Sequence, residues 1–186
     1  MIPVSELRKG VTFVDNDGQF WKVLEYEHYK PGRGNAVIRT RLRNLRTGAT
    51  ISRNFLSGDR VQDVRLEHKA MQYMYNDGDI YYFMDTETFE QPGLQAEILR
   101  DVIPYLKEGL TLDLELYEGE PIGIEMPITV DLLVTDAPPG YAGDTANNPQ
   151  KEVALETGLK IQVPLFIKAG DMIRVDTRTG QYVTRA

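Results

Sequence analysis

Residues 71–84 read MQYMYNDGDIYYFM, in which two runs of tyrosine, methionine and phenylalanine flank Asn76-Asp77-Gly78. A short Asn-Asp-Gly turn between two such runs is typical of a β-hairpin. Similar turn signals recur about every 8 to 15 residues, and the runs between them include QFWKVLEYEH, AVIRTRLRNL, LDLELY, ITVDLLVT and MIRVD. This spacing predicts an all-β protein of many short antiparallel strands, as in small barrels.

One stretch has the pattern of a helix. In LQAEILRDV, residues 94–102, the apolar side chains fall on one helical face, and Pro104 limits the segment. We therefore expect one short helix in the middle of the chain. Without repeated helical units, a βαβ enzyme fold is disfavoured.

Charge is distributed unevenly along the 186 residues, whose net charge is -7. Residues 1–64 carry 11 Lys or Arg against 7 Asp or Glu, net +4; residues 65–126 carry 4 against 14, net -10; residues 127–186 carry 6 against 7, net -1. These shifts predict three small β domains with those bounds. The chain has no cysteine, no apolar run long enough for a membrane span, and no signal-peptide pattern at its start, so we expect a cytoplasmic protein.

The first third contains an acid-free basic stretch. From His28 to Gly58 there is no Asp or Glu, and the cations are Lys30, Arg33, Arg39, Arg41, Arg43, Arg46 and Arg53. Such a stretch attracts polyanions whatever the total charge. An exposed strand face that is simply kept soluble is the alternative interpretation.

Alternation within that stretch predicts two different strand faces. Arg39, Arg41 and Arg43 fall on one side, and Ile38, Thr40 and Leu42 on the other. Before them, Lys30, Pro31, Gly32 and Gly34 surround Arg33, so that this arginine is expected to project from the tip of a hairpin. Guanidinium groups bind phosphates in a fork and stack on bases, so this pattern favours a nucleic-acid interface.

Catalysis finds little support in the sequence. His28 and His68 lack the spacing of a metal site or a catalytic triad, and NDGDIYYFMDTE places bulky apolar residues where a calcium loop needs oxygens. Phosphate-loop and nucleophile-elbow motifs are absent. We therefore predict no enzyme activity, no metal and no cofactor, and a small β-barrel hydrolase is the least favoured alternative.

Three motifs resemble bacterial elongation factor P. They are KPGRGNAVIRTRLRNLRTG (residues 30–48), GDTA (residues 143–146) and LETGLKIQVPLFIKAGDMIRVDTRTGQYVTRA (residues 155–186). The order of turns and the total length also match, so the resemblance covers essentially the whole chain. It implies a KOW/SH3-like barrel followed by two OB-like barrels.

The resemblance also implies a function and its site residues. The family binds the ribosome between the P and E sites, contacts peptidyl-tRNA as a monomer and relieves stalling at consecutive prolines. By position, Arg33 is the residue that contacts the tRNA CCA end, with Lys30, Pro31, Gly32 and Gly34 supporting the tip and Arg39, Arg41 and Arg43 contacting phosphates. Gly143, Asp144 and Thr145 form the loop expected at the E-site codon and the small subunit.

Arginine at the tip departs from the family's commoner lysine, which excludes a lysine-type modification. Because the family's tip residue commonly carries a modification, Arg33 is the candidate site for one, with a modifying enzyme as a candidate partner; whether Arg33 is modified stays open. Two alternatives stay open: a paralogue with the same fold, and an OB protein that binds single-stranded nucleic acid. The second is disfavoured because Tyr29 and Phe55 are the only aromatic residues between His28 and Gly58.

Overall fold

Short strands form three separate β-sheets in a computed structural model that describes residues 1–30, 32, 36–140 and 149–186. The predicted all-β class with three β domains is confirmed. Runs of β-branched and aromatic residues between turn residues produce this pattern, because such side chains pack well on a pleated surface.

The first sheet has six strands in the order β1-β6-β2-β3-β4-β5. Their bounds are Ile2–Pro3 (β1), Thr12–Val14 (β2), Phe20–Tyr29 (β3), Val37–Asn44 (β4), Thr50–Leu56 (β5) and Arg60–Val64 (β6). A 3-10 turn, Val4–Glu6, follows β1. The inward side chains of these elements enclose a core that includes Val4, Phe13 and Leu42.

The second sheet has five strands in the order β11-β10-β7-β8-β9. Their bounds are Glu67–Asn76 (β7), Ile80–Asp85 (β8), Gly93–Gln95 (β9), Thr111–Tyr117 (β10) and Glu120–Glu125 (β11). Strands β7 and β8 pair antiparallel, with Tyr73 opposite Phe83. Gly78 lies in their turn at a φ of 112°, a left-handed conformation that favours glycine. The hairpin predicted for residues 71–84 is thus confirmed.

The helix predicted for residues 94–102 is shorter than the apolar pattern suggested. Leu94 belongs to strand β9, helix α1 covers only Ala96–Leu99, and a 3-10 turn follows at Ile103–Tyr105. Leu94, Leu99 and Val102 are buried as expected. Pairing in the sheet overrides helical periodicity at Leu94. Pro104 lies near the start of the 3-10 turn, where a proline is tolerated, and does not itself end helix α1.

The third sheet has five strands in the order β14-β13-β12-β15-β16. Their bounds are Thr129–Asp136 (β12), Gln150–Leu155 (β13), Lys160–Pro164 (β14), Met172–Asp176 (β15) and Tyr182–Arg185 (β16). Leu132, Ile173 and Val175 are buried in its core, and Tyr105 packs in the same cluster.

By internal contacts the chain divides into two compact units. One contains Met1–Lys69, Leu94–Arg100 and Leu114–Ile124, and the other contains Ala70–Gly93, Asp101–Asp113 and Glu125–Ala186. The domain bounds of 1–64, 65–126 and 127–186 stay a prediction, because these units follow a different division. Among the described residues, no helix is long and apolar enough to cross a membrane.

Candidate nucleic-acid interface

Strands β3 and β4 form a long hairpin, and the segment that joins them contains Arg33. Their pairing runs from Tyr29 opposite Val37, beside that segment, back to Trp21 opposite Asn44. Strand β5 pairs along the other edge of β4. The basic residues of β4 therefore lie between two neighbouring strands, which fix the direction of each side chain.

The alternation predicted for β4 is confirmed in its burial. Ile38 and Leu42 are fully buried, whereas the side chains of Arg39 and Arg41 are 52% and 55% exposed. Arg43 is half-buried and has a contact of its own, so it is less exposed than we predicted. Arg39 and Arg41 thus form the exposed cationic pair of the hairpin.

Two carboxylates of β3 face these two arginines. Glu27 is opposite Arg39 in the register and Glu25 is opposite Arg41, after which a bulge shifts the pairing. The Nη1 atom of Arg39 lies 3.8 Å from Oε2 of Glu27, and that of Arg41 lies 3.4 Å from Oε1 of Glu25. These partners are not apparent from the acid-free stretch itself, because Glu25 and Glu27 precede it along the chain.

An aromatic ring lies at the loop end of the same face. Tyr29 is 44% exposed, and the guanidinium carbon of Arg39 lies 4.4 Å from the centre of its ring. This cation–π contact orients the Arg39 side chain along the hairpin. Lys30, the next residue, is exposed, as is Gly32 within the loop.

Two further cations of the basic stretch also have carboxylate partners. Arg46 lies 3.7 Å from Glu120 and stacks over the ring of Phe20, with 5.4 Å to its centre. Arg53 lies 3.6 Å from Asp15. A count of charges along the chain therefore overstates the unpaired positive charge of the basic stretch.

Asp15 anchors the turn that precedes β3. Its carboxylate accepts hydrogen bonds from the backbone N–H groups of Asp17 and Gln19, both at 3.0 Å, and from Nε1 of Trp21 at 2.8 Å. Burial by itself raises the pKa of Asp15, but these hydrogen bonds and the charge of Arg53 outweigh it, so the pKa lies below its ordinary value of 3.8. The ionised carboxylate thereby fixes where β3 begins.

A buried ion pair anchors the hairpin farther from the loop. Nζ of Lys22 in β3 donates to Oε1 of Glu115 in β10 at 2.7 Å, and the two side chains are 22% and 2% exposed. A Cβ at Gly123 would lie 3.0 Å from the Glu115 Oε2, so glycine leaves room for the carboxylate. Two positions from Lys22 and Glu115 on the same strands, the rings of Phe20 and Tyr117 pack together, with centroids 5.1 Å apart.

Several residues predicted for the site lie outside the described residues. They are Pro31, Arg33 and Gly34 of the tip, and Gly143, Asp144 and Thr145 of the second loop. Both ends of the second loop are described. Nζ of Lys151 donates to the carbonyl of Pro138 at 2.9 Å, and a Cβ at Gly140 would lie 3.0 Å from Leu165 Cβ. The hydrogen bond links the chain on the two sides of that loop, and glycine at position 140 leaves room for Leu165.

Comparison with known proteins assigns the chain to a family. It is 52% identical over 186 residues to "Elongation factor P" of Moorella thermoacetica, and the match covers 100% of both chains. The chain belongs to the elongation factor P family. This confirms the resemblance seen in the sequence. As a member of this family, the chain is a translation elongation factor.

Further comparisons agree with that assignment. Elongation factor P of Acetivibrio thermocellus is 48% identical over 185 residues, with 100% of both chains covered. Family models match residues 3–61 (elongation factor P KOW-like domain), 66–124 (elongation factor P OB domain) and 130–185 (elongation factor P, C-terminal). Among solved structures, "Eukaryotic translation initiation factor 5A from Methanococcus jannaschii" has a TM-score of 0.50 at 19% identity, over 67% of this chain and 91% of that one. This last likeness concerns the fold alone.

Proposed function

We propose that this family member binds the ribosome between the P and E sites, positions peptidyl-tRNA and stimulates peptide bond formation where consecutive prolines stall synthesis. The observation that carries the proposal is full-length identity of 52% to an elongation factor P, over all of both chains. The basic hairpin supports it, because a protein that grips tRNA needs exposed cations for phosphates.

The proposed mechanism is positioning. Proline is a constrained and poor nucleophile and a poor donor, so bond formation is slow and the peptidyl-tRNA has time to move away from its reacting geometry. A protein that holds the CCA end in place lowers the entropic barrier of the step. The ribosome remains the catalyst, and we propose no catalytic group, metal or cofactor in this chain.

Each part of the hairpin has a role in this proposal. Arg33 reaches the CCA end, and the residues around it shape the tip: Lys30, Pro31, Gly32 and Gly34. The guanidinium groups of β4 bind tRNA phosphates, for which a planar fork of N–H donors is well suited. Those arginines are Arg39, Arg41 and Arg43.

The second loop has a separate proposed role. Gly143, Asp144 and Thr145 would contact the small subunit at the E-site codon, so that the protein acts on both subunits. We further propose that it acts in the cytoplasm as a monomer. A separate enzyme would modify Arg33 after synthesis.

A single-strand-binding OB protein is a weaker candidate on the described surface. Such proteins stack bases on exposed aromatic rings that lie between their cations. Phe55 is only 8% exposed, and Arg39 covers one side of the Tyr29 ring. The basic stretch therefore favours phosphate contacts over base stacking.

The test is peptide formation by purified ribosomes on a message with three consecutive prolines, with and without the recombinant chain. We expect faster synthesis on that message and no change on a proline-free one. Arg33→Ala should reduce this stimulation more than it reduces ribosome binding. Arg100→Ala removes an exposed arginine next to helix α1 and should change neither quantity.

Modification of Arg33 needs its own measurement. The intact mass of the natively purified protein should exceed the mass calculated from the sequence, and Arg33→Ala should abolish the difference. If the recombinant chain fails to stimulate while the native protein succeeds, the modification is required. If both fail, the chain is a paralogue with another activity.

A further inference from the structure

Two arginines on the exposed face of the β3–β4 hairpin are each paired with a glutamate. Glu27 faces Arg39 and Glu25 faces Arg41, at 3.8 Å and 3.4 Å. The four side chains are 52% to 70% exposed, so solvent and other charged groups can reach them. Together they have no formal net charge.

These carboxylates compete with any phosphate for the same guanidinium groups. An exposed ion pair is weak, so it does not prevent a phosphate from binding. A phosphate that approaches Arg39 or Arg41 nevertheless has to displace a glutamate or accept repulsion from it. Binding at this face is therefore favourable mainly when other contacts hold the RNA in place.

We propose that Glu25 and Glu27 determine specificity, because they weaken the binding of unplaced RNA to Arg39 and Arg41. The proposal rests on the tRNA-binding role proposed above for this hairpin. A factor that must find one site on the ribosome gains from poor affinity for free RNA, since phosphate contacts alone carry no selectivity. Discrimination of this kind uses repulsion against the wrong partner.

A purely structural role for the two glutamates makes a different prediction. Opposite charges across neighbouring strands stabilise a sheet modestly. If that were their only role, neutral replacements would reduce stability and leave RNA affinity as it is. RNA affinity is thus the measurement that separates the two roles.

The experiment compares full-length variants for binding to a fluorescently labelled tRNA transcript, measured by anisotropy at several salt concentrations. Glu25→Gln combined with Glu27→Gln removes both charges and keeps the side-chain size. Its matched control is Glu97→Gln combined with Glu108→Gln, which changes net charge equally through two exposed residues of other segments. Trp21 fluorescence checks that each variant is folded.

We expect the hairpin variant to bind the transcript about 2- to 30-fold more tightly at low salt, from the usual strength of two exposed ion pairs. The slope of log affinity against log salt should steepen by about 1 to 2, because up to two more phosphates are neutralised. The control should change affinity less than about 2-fold. Equal effects of both variants would mean that only net charge matters, and would overturn the proposal.

A second comparison tests whether the gain passes through the arginines. Arg39→Ala combined with Arg41→Ala, made in the background of the two Gln substitutions, should remove the gain in affinity. If the gain survives, the carboxylates act on other cations and the proposal is wrong.

The proposed function and the proposed role of Glu25 and Glu27 are tested by separate measurements. In the triproline assay, excess unlabelled tRNA transcript should reduce stimulation by the Gln variant more than stimulation by the wild type. Absence of stimulation by both the recombinant and the natively purified wild type would contradict the proposed function, whereas the anisotropy comparison would still decide the role of Glu25 and Glu27.

Discussion

Glu115→Ala should destabilise the β3–β4 hairpin, although the two lie far apart in sequence. The Glu115 side chain is only 2% exposed, and its Oε1 lies 2.7 Å from Nζ of Lys22, whose side chain is 22% exposed. Removing one member of a buried ion pair costs about 3–5 kcal/mol when the remaining charge stays buried. Because Lys22 can regain part of its hydration, we expect about 2–3 kcal/mol.

The single tryptophan provides the assay. Trp21 lies next to Lys22 in β3 and is 7% exposed, so its fluorescence reports unfolding of the first sheet. With a urea dependence of about 1–3 kcal/mol per molar, the loss should lower the urea midpoint by roughly 1–2 M. Glu120→Ala is the matched control, since its carboxylate is 77% exposed and lies 3.7 Å from Arg46. We expect a change of about 0.5 kcal/mol or less there.

A double variant tests whether the effect belongs to the pair. Lys22→Met combined with Glu115→Leu replaces both charges by apolar groups, which is often neutral or stabilising at a buried site. The double variant should therefore be more stable than Glu115→Ala. If Glu115→Ala shifts the Trp21 transition no more than Glu120→Ala does, the ion pair does not anchor the hairpin and the reasoning is refuted.

Three other predictions concern single residues. The pKa of Asp15 is lowered on folding, so the stabilising effect of its carboxylate is present above pH 3.8 and is lost as the pH falls through its folded pKa. Asp15→Asn should lower the free energy of unfolding at pH 7 by about 1–2 kcal/mol, and the free energy measured by Trp21 fluorescence should then depend less on pH in the acid range. Leu132→Ala leaves a cavity at a fully buried position and should lower the free energy of unfolding by about 2–5 kcal/mol, measured by urea denaturation followed by circular dichroism. Hydrogen bonds from Arg178 lower the pKa of Asp176 to about 2, so an NMR titration of Arg178→Ala should find that pKa closer to 3.8, and an unchanged value would contradict this cause.

Local pattern predicts most of the fold. The β7–β8 hairpin follows from its turn residues, and β4 follows from strict alternation of arginine with inward residues. Both features depend on neighbours close in sequence, for which period and turn chemistry are sufficient. At Leu94 local pattern fails, because that residue enters strand β9 and leaves a helix of only four residues, Ala96–Leu99.

Contacts between distant segments are beyond such patterns. Lys22 and Glu115 are 93 positions apart, and nothing around Glu115 distinguishes it from the exposed acidic residues of the same acidic third. A buried carboxylate is stable only with a partner, and the partner is identified only when both strands are in place. Composition therefore misses the residue that anchors the proposed interface.

The glutamate partners of Arg39 and Arg41 can be predicted from the sequence once the hairpin register is known. Counting outward from the loop, pairing of Tyr29 with Val37 places Glu27 opposite Arg39 and Glu25 opposite Arg41 before the bulge is reached. A hairpin register is thus enough to show that an acid-free stretch of chain need not be an acid-free surface. Charge runs within hairpins are better judged across the strand pair than along the chain, because cross-strand neighbours lie only about 5 Å apart.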